Sequence, residues 1–206
     1  MAELDIHAAL SAYLAIYLAV AFGWRTYHVY RTTGRNPYVL ASGDDAEGYV
    51  ARAFRATLIA SLIAVVAPAV APDLARFTAP FEGLSAATRL PGIALLALSL
   101  LTVAVAQAQM GTSWRIGIDK DTPTELVRHG LFAWSRNPIF LSMRATLLGL
   151  FGVIPSGLTL AVFVAGEILM QVQVRLEETY LSALHGAAYD EYRSRVARWL
   201  GRGRCV

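Results

Sequence analysis

Apolar runs of membrane-crossing length recur along the chain, at 6–22, 54–71, 90–107, 138–154 and 158–174, each near the roughly 20 residues a spanning helix needs. A bilayer interior offers no water to unpaired backbone N–H and C=O groups, so such runs must be helical. The expected fold is an all-α membrane protein with about five transmembrane helices. Composition agrees, with 56% hydrophobic and 16% charged residues against about 25% charged in soluble domains. Glu3 and Asp5, rather than cations, precede the first run, so it is expected to be a retained span and not a removable signal.

The cations set the expected orientation. Arg25, Arg31, Arg35, Arg52 and Arg55 lie between the first and second runs, but only Arg76 and Arg89 between the second and third. Arg115, Lys120, Arg128 and Arg136 follow the third run, and Arg175, Arg193, Arg195, Arg198, Arg202 and Arg204 follow the fifth. The positive-inside rule then puts the N-terminus outside and the C-terminus in the cytoplasm, in the inner membrane if the cell is prokaryotic. These cations also account for a pI near 9.2 through anionic lipid headgroups, without nucleic acid. Cys205 is the single cysteine, so no intrachain disulfide forms.

The chain reads as one membrane domain, 1–206, without repeats. Residues 1–110 look like a transmembrane scaffold, and polar and aromatic residues crowd into 111–206. A loop at 111–135 with several Gly and two Trp is too long to be a plain connection, and its aromatics favour order. Only Ile154, Pro155, Ser156 and Gly157 join the last two runs, which requires a tight antiparallel hairpin. Beyond it, Leu176, Tyr180, Leu184, Tyr192, Val196 and Trp199 recur at helical spacing, interrupted near Gly186. This amphipathic tail is expected to fold back on the cytoplasmic face.

Two ionisable residues lie within the hairpin spans, and such groups are usually paired or turned to a cavity. Arg144 is about twelve residues before the turn and Glu167 about eleven after it, so both lie about 16–18 Å from it along their helices. An ion pair is expected, either as a clamp of the hairpin or as a catalytic pair in which Arg144 holds an anionic acceptor. His7, His28, His129 and His185 lack ligand spacing, so no metal site is expected. Phosphate-binding loops, dinucleotide fingerprints and nucleophile elbows are absent as well.

Two further motifs stand in order. One is Leu126-Val127-Arg128-His129-Gly130-Leu131-Phe132-Ala133-Trp134-Ser135-Arg136-Asn137-Pro138-Ile139-Phe140, leading into the fourth run; the other is Glu177-Glu178, followed by Leu181, Gly186, Tyr189 and Tyr192. Together they resemble the integral-membrane methyltransferase superfamily typified by isoprenylcysteine carboxyl methyltransferase, with phospholipid methyltransferases as relatives. That family carries L-V-x-x-G-x-Y-x-W-x-R-H-P-x-Y, then a Glu pair, a Leu, and a tail of Gly and two Tyr.

The resemblance covers the C-terminal half and implies S-adenosyl-L-methionine as cofactor, with a membrane lipid or lipid-like acceptor arriving from the bilayer. It implies that Thr124, Glu125, Leu126, Val127 and Phe132 line the cofactor pocket, that Asn137, Pro138, Ile139 and Phe140 close it, and that Glu177 contacts the cofactor. Arg175 is the nearest cation to the position of the family's substrate-binding arginine, which is Gln173 here. Asn137 replaces the family histidine, Phe132 and Phe140 replace tyrosines, and Thr124 replaces another histidine. Each exchange removes a polar handle or a titratable group, which points away from prenylcysteine itself.

Competing readings attach to the same residues. An NADPH-dependent sterol or enone reductase has a similar entrance and tail, although Ile139 and Tyr189 stand where it has asparagine and tryptophan. A non-enzymatic scaffold or transporter would use Arg144 and Glu167 structurally. Taken singly, Pro138 reads as a helix start, Glu177 and Glu178 as a solvated face, and Trp114 and Trp134 as interfacial anchors.

Overall fold

The structure, a computed structural model, describes residues 2–71, 81, 83–118 and 124–201. Arg76, Lys120, Arg202, Arg204 and Cys205 lie outside the described residues. Helix α1 (Ala2–Leu18) continues through a π-helical turn (Ala19–Trp24) into α2 (Arg25–Thr33), followed by α3 (Ala46–Val70), α4 (Leu84–Met110), α5 (Pro138–Val153), α6 (Gly157–His185) and α7 (Ala187–Arg195). Among the described residues the remaining pairing is a single parallel bridge between Tyr38 and Ile116.

Four segments are long and apolar enough to cross a membrane, Asp5–Thr33, Ala46–Pro68, Leu84–Ser113 and Gly157–His185, and α5 is a shorter apolar helix. The fold is that of an all-α membrane protein. Ile16, Ile59, Ile63, Leu101, Val164 and Ile168 are exposed on the bundle's flank, as a surface against lipid tails should be. Inside, Leu10, Leu14, Val65, Leu96, Leu150 and Val153 form one core.

Helices α1 and α4 run parallel in one register. Tyr13 Oη meets Ser99 Oγ at 2.8 Å, Gln107 Nε2 donates to the Ala21 carbonyl at 2.9 Å, and Arg25 Nη2 donates to the Gly111 carbonyl at 2.7 Å, every pair 86 residues apart. The Ala21 carbonyl lies within the π-helical turn, where the widened backbone turns it to Gln107. Helices α4 and α5 pack antiparallel with their backbones touching. A Cβ at Gly92 would come within 2.9 Å of the Gly149 carbonyl and the Gly152 and Val153 backbone, the close approach that small residues permit in membranes.

The hairpin between α5 and α6 is as short as expected. Ser156 and Thr159 cap α6 reciprocally, satisfying N–H groups that would otherwise be orphaned beside a buried turn. Phe81 N–H donates to the Pro155 carbonyl at 2.7 Å, and His7 meets the Val65 carbonyl at 2.9 Å. The hairpin therefore shares one end of the bundle with the start of α1, the C-terminal part of α3 and Phe81. The opposite end gathers residues 34–45, residues 111–118 and 124–137 of the α4–α5 loop, and α7. At about 1.5 Å per residue α6 is about 43 Å long, beyond the ~30 Å hydrocarbon core. It carries Glu177 and Glu178 into that loop end.

Candidate functional site

The two glutamates divide the work of α6. Consecutive helical residues point about 100° apart, and here that rotation separates a structural carboxylate from one facing a cavity. Glu178 is buried and accepts from Arg136 Nε and Nη2 at 3.2 and 2.9 Å, from Arg198 Nε and Nη2 at 3.1 and 2.7 Å, and from Asn137 Nδ2 at 3.3 Å. Arg136 Nη1 also donates to the carbonyls of Arg193 and Val196, each at 3.0 Å. Arg136 N–H bonds the Ala197 carbonyl and Gly201 N–H bonds the Trp134 carbonyl, both at 3.1 Å. One carboxylate thus ties the entrance of α5 to the tail.

The tail can return because Gly186, at φ +52°, ends α6 and starts α7. Tyr189, Tyr192 and Val196 then pack on Leu126 and Leu181, and Tyr192 Oη donates to the Phe132 carbonyl at 2.7 Å. Burial pushes the Tyr192 phenol up to about 12 and raises Tyr189 as well. Its hydrogen bonds to Glu178 raise Arg198. Gly130 is required for a different reason: it sits at φ +61°, and a Cβ there would run into the Gln109 amide, whose Oε1 accepts from Leu131 N–H at 2.8 Å.

Under this knot lies a cavity of about 590 Å³, within the range of ligand sites. Thr124, Glu125, Leu126, Val127, Phe132, Asn137, Pro138, Ile139, Phe140 and Glu177 all line it. Glu177 is half-buried and reaches the cavity with Met170, Gln173 and Leu181, one helical face of α6. Its carboxylate makes no hydrogen bond or ion pair to a described residue. Asn137 also donates to the Arg198 carbonyl at 3.2 Å, so its amide serves the knot as well as the wall. Trp114, read above as an interfacial anchor, is instead 3% exposed and lines the cavity, whereas Trp134 is 70% exposed.

Arg144 and Glu167 do form the expected pair, Nε to Oε2 at 2.6 Å. The Arg144 guanidinium stacks over Trp199 at 4.2 Å, and Glu167 Oε1 accepts from Gln171 Nε2 at 2.9 Å. Neither residue lines the cavity. Arg175 also points elsewhere, its Nη1 donating to the carbonyl and Oε1 of Gln171 at 2.6 and 2.9 Å. Glu167, Gln171 and Arg175 recur every fourth residue on one stripe of α6, away from the stripe of Gln173 and Glu177. Sequence reasoning did not single out Arg198, Tyr17 or Gln107. The last two are buried and line the cavity from α1 and α4, and a polar residue inside an apolar span was the available signal.

No family model matches the chain. The Protein-S-isoprenylcysteine O-methyltransferase of Saccharomyces cerevisiae is 30% identical over 132 residues, covering 61% of this chain and 53% of that protein. The chain thus spans about half the length of the relative it matches. In motif order and in aligned sequence, this chain is similar to the integral-membrane methyltransferases typified by isoprenylcysteine carboxyl methyltransferase.

Proposed function

We propose that the chain is an S-adenosylmethionine-dependent membrane methyltransferase acting on a lipid-like or amphiphilic acceptor, with its loop end in the cytoplasm. The observation that carries this reading is the convergence on one cavity of all ten residues that the family motifs mark for the cofactor. The residues present suit that cofactor. Leu126, Val127, Phe132, Ile139 and Phe140 offer apolar walls for a purine, Thr124 and Glu125 offer polar groups for a ribose or amino-acid end, and Glu177, without a hydrogen bond or ion pair among the described residues, offers negative potential. When bound, the cofactor would supply an electrophilic methyl group on a sulfonium.

The remaining roles fall to the chain's own residues. The Glu178 knot holds the entrance of α5 and the tail together and so excludes water from the loop end, where alignment of reactants is the main catalytic requirement. Phe22 on the first span and Leu58 on α3 both line the cavity and both reach the exposed flank, which supports lateral arrival of an acceptor from lipid. We assign Arg144 and Glu167 a positioning role. Their pair holds α5 to α6, and the stacked Trp199 secures the tail.

The test is thermal unfolding of purified protein with S-adenosylhomocysteine, with NADPH as the control. A ligand at a hundred times its Kd stabilises by about 2.7 kcal/mol. Stabilisation by S-adenosylhomocysteine that Glu177→Gln abolishes is the expected result. Stabilisation by NADPH alone would replace this reading with the reductase, and silence with both would leave no cofactor enzyme.

A further inference from the structure

One wall of the cavity lies outside the motifs. Leu14, Leu18 and Phe22 of the first span and Phe54, Leu58 and Ser61 of α3 line it there. The two helices meet at the hairpin end, where Leu10, Leu14 and Val65 share one core and His7 reaches the Val65 carbonyl. Nearer the loop end, Phe22 and Leu58 are exposed while still lining the cavity, so this wall is also part of the bundle's flank.

A cation stands in that wall. Arg55 lines the cavity one turn before Leu58, inside the apolar span Ala46–Pro68 and about 14 Å along α3 from Ala46. It is exposed, and no hydrogen bond or ion pair joins it to a described residue. Arg52, on the preceding turn, is employed differently: it donates to the Gly43 carbonyl at 3.0 Å, pairs with Asp44 at 3.3 Å and does not line the cavity. The other arginines in the lining, Arg115 and Arg136, belong to the α4–α5 loop, and Arg136 is committed to Glu178. Among the lining carboxylates, Glu47 is about 12 Å from Arg55 along α3, and Glu125 and Glu177 belong to the cofactor wall.

An ionisable side chain within a span is costly and is normally paired or turned to a cavity. Arg55 has the cavity without the pair. Spacing places it where two faces of α3 meet: Ala51 and Leu58 line the cavity, and Ile59 and Ile63 are exposed on the flank. A cation at that border faces whatever passes from lipid into the cavity.

We propose that Arg55 selects ligands entering between the first span and α3 by an anionic head, phosphate or carboxylate, carried on an apolar chain. With its head toward the loop end, as a membrane amphiphile lies, such a ligand lays its chain along Leu58, Leu18 and Leu14. The guanidinium fork donates two hydrogen bonds to the head oxygens. An uncharged head forgoes the charge-assisted bonds, and a cationic head meets like charge. Arg55 thereby takes the anion-holding role that the sequence placed on Arg144, which lies outside the cavity. Naming the ligand as the methyl acceptor rests on the methyltransferase reading above; the selective mouth does not.

The experiment compares decyl phosphate, decanol and decyltrimethylammonium by isothermal titration calorimetry on full-length protein in phosphatidylcholine nanodiscs, with protein-free nanodiscs subtracted. The three share a chain and differ in the head. Decyl phosphate is expected to bind about tenfold tighter than decanol, and the cation weakest. Arg55→Met should erase that preference, Arg55→Lys should keep part of it, and Arg52→Met should leave it intact. Equal binding of decyl phosphate and decanol would overturn the assignment. So would equal losses in Arg55→Met and Arg52→Met, which would reduce the effect to general surface charge. Inorganic phosphate, lacking a chain for the apolar wall, should not bind, and binding as tight as that of decyl phosphate would refute a site for amphiphiles. Nanodiscs containing phosphatidylglycerol separate two sources of the same chemistry: weakened decyl phosphate binding names the bilayer's own anionic lipid, and undiminished binding a single-chain amphiphile. If Arg55→Met fails to fold, Arg55→Lys and the wild-type series still decide. S-adenosylhomocysteine titrated in parallel keeps the claims apart: its binding without head selectivity removes the mouth alone, and selectivity without its binding removes only the methyltransferase reading.

Discussion

Replacing Glu178 with glutamine tests how the loop end is held. The side chains of Arg136 and Glu178 are each 8% exposed, and that of Arg198 is 32% exposed. Glu178→Gln keeps the volume but leaves two guanidinium groups facing a neutral amide whose N–H₂ must turn toward one of them. Removing one partner of a buried ion pair costs about 3–5 kcal/mol, chiefly because the remaining charge is stranded. At about 2–4 °C per kcal/mol for a chain of this size, even the lower figure predicts a fall in Tm of roughly 6–12 °C. The control is one residue away. Glu177→Gln touches no hydrogen-bond partner among the described residues and should change unfolding by less than about 1 kcal/mol. Thermal unfolding in one detergent, followed by tryptophan fluorescence, measures both. If the two substitutions had equal effects, or Glu178→Gln unfolded within about 1 kcal/mol of wild type, the assignment of Glu178 as the knot would be wrong.

Two other outcomes follow from the same geometry. Arg144→Met should cost only about 1 kcal/mol, since the side chains of Arg144 and Glu167 are each 27% exposed and the stacking on Trp199 is a partly solvated contact. Hydrogen exchange in residues 196–201 should rise as the stack is lost, and a Tm fall matching that of Glu178→Gln would contradict the ranking by burial. Tyr192 adds a pH dependence. Its phenol is raised from 10 to about 12 in the folded chain, so between those values the unfolded chain has lost a proton that the folded chain retains. Stability from this group is complete below pH 10 and disappears as pH rises through 12. Tyr192→Phe should therefore flatten the alkaline arm of a stability curve, and an unchanged arm would show that other groups govern it.

Much of the arrangement was legible in one dimension wherever the constraint itself is local. The pairing of Arg144 with Glu167 follows from counting residues on both sides of a turn too short to slip. The break at Gly186 and the start of α5 at Pro138 follow from backbone freedom and its restriction. The ordered motifs between Leu126 and Tyr192 line a single cavity, each fragment supplying a different part of its wall. What those fragments could not reveal was which face each side chain would turn to. Arg144 has the right depth for a cavity but looks toward Trp199, and Trp114 has an anchor's position but is folded inward.

Apolar periodicity and length by themselves determined that this chain would be a helical membrane bundle, because a hydrocarbon interior permits a helix hardly any alternative. The order of its motifs determined the likeness to membrane methyltransferases. Only the tertiary structure decided which of two adjacent glutamates became the knot and which faced the cavity. It also decided that Tyr17 and Gln107 would line that cavity. Those outcomes depend on the rotation of α6 against the returning tail and on the register between α1 and α4, and rotation and register are set by packing between segments far apart in sequence.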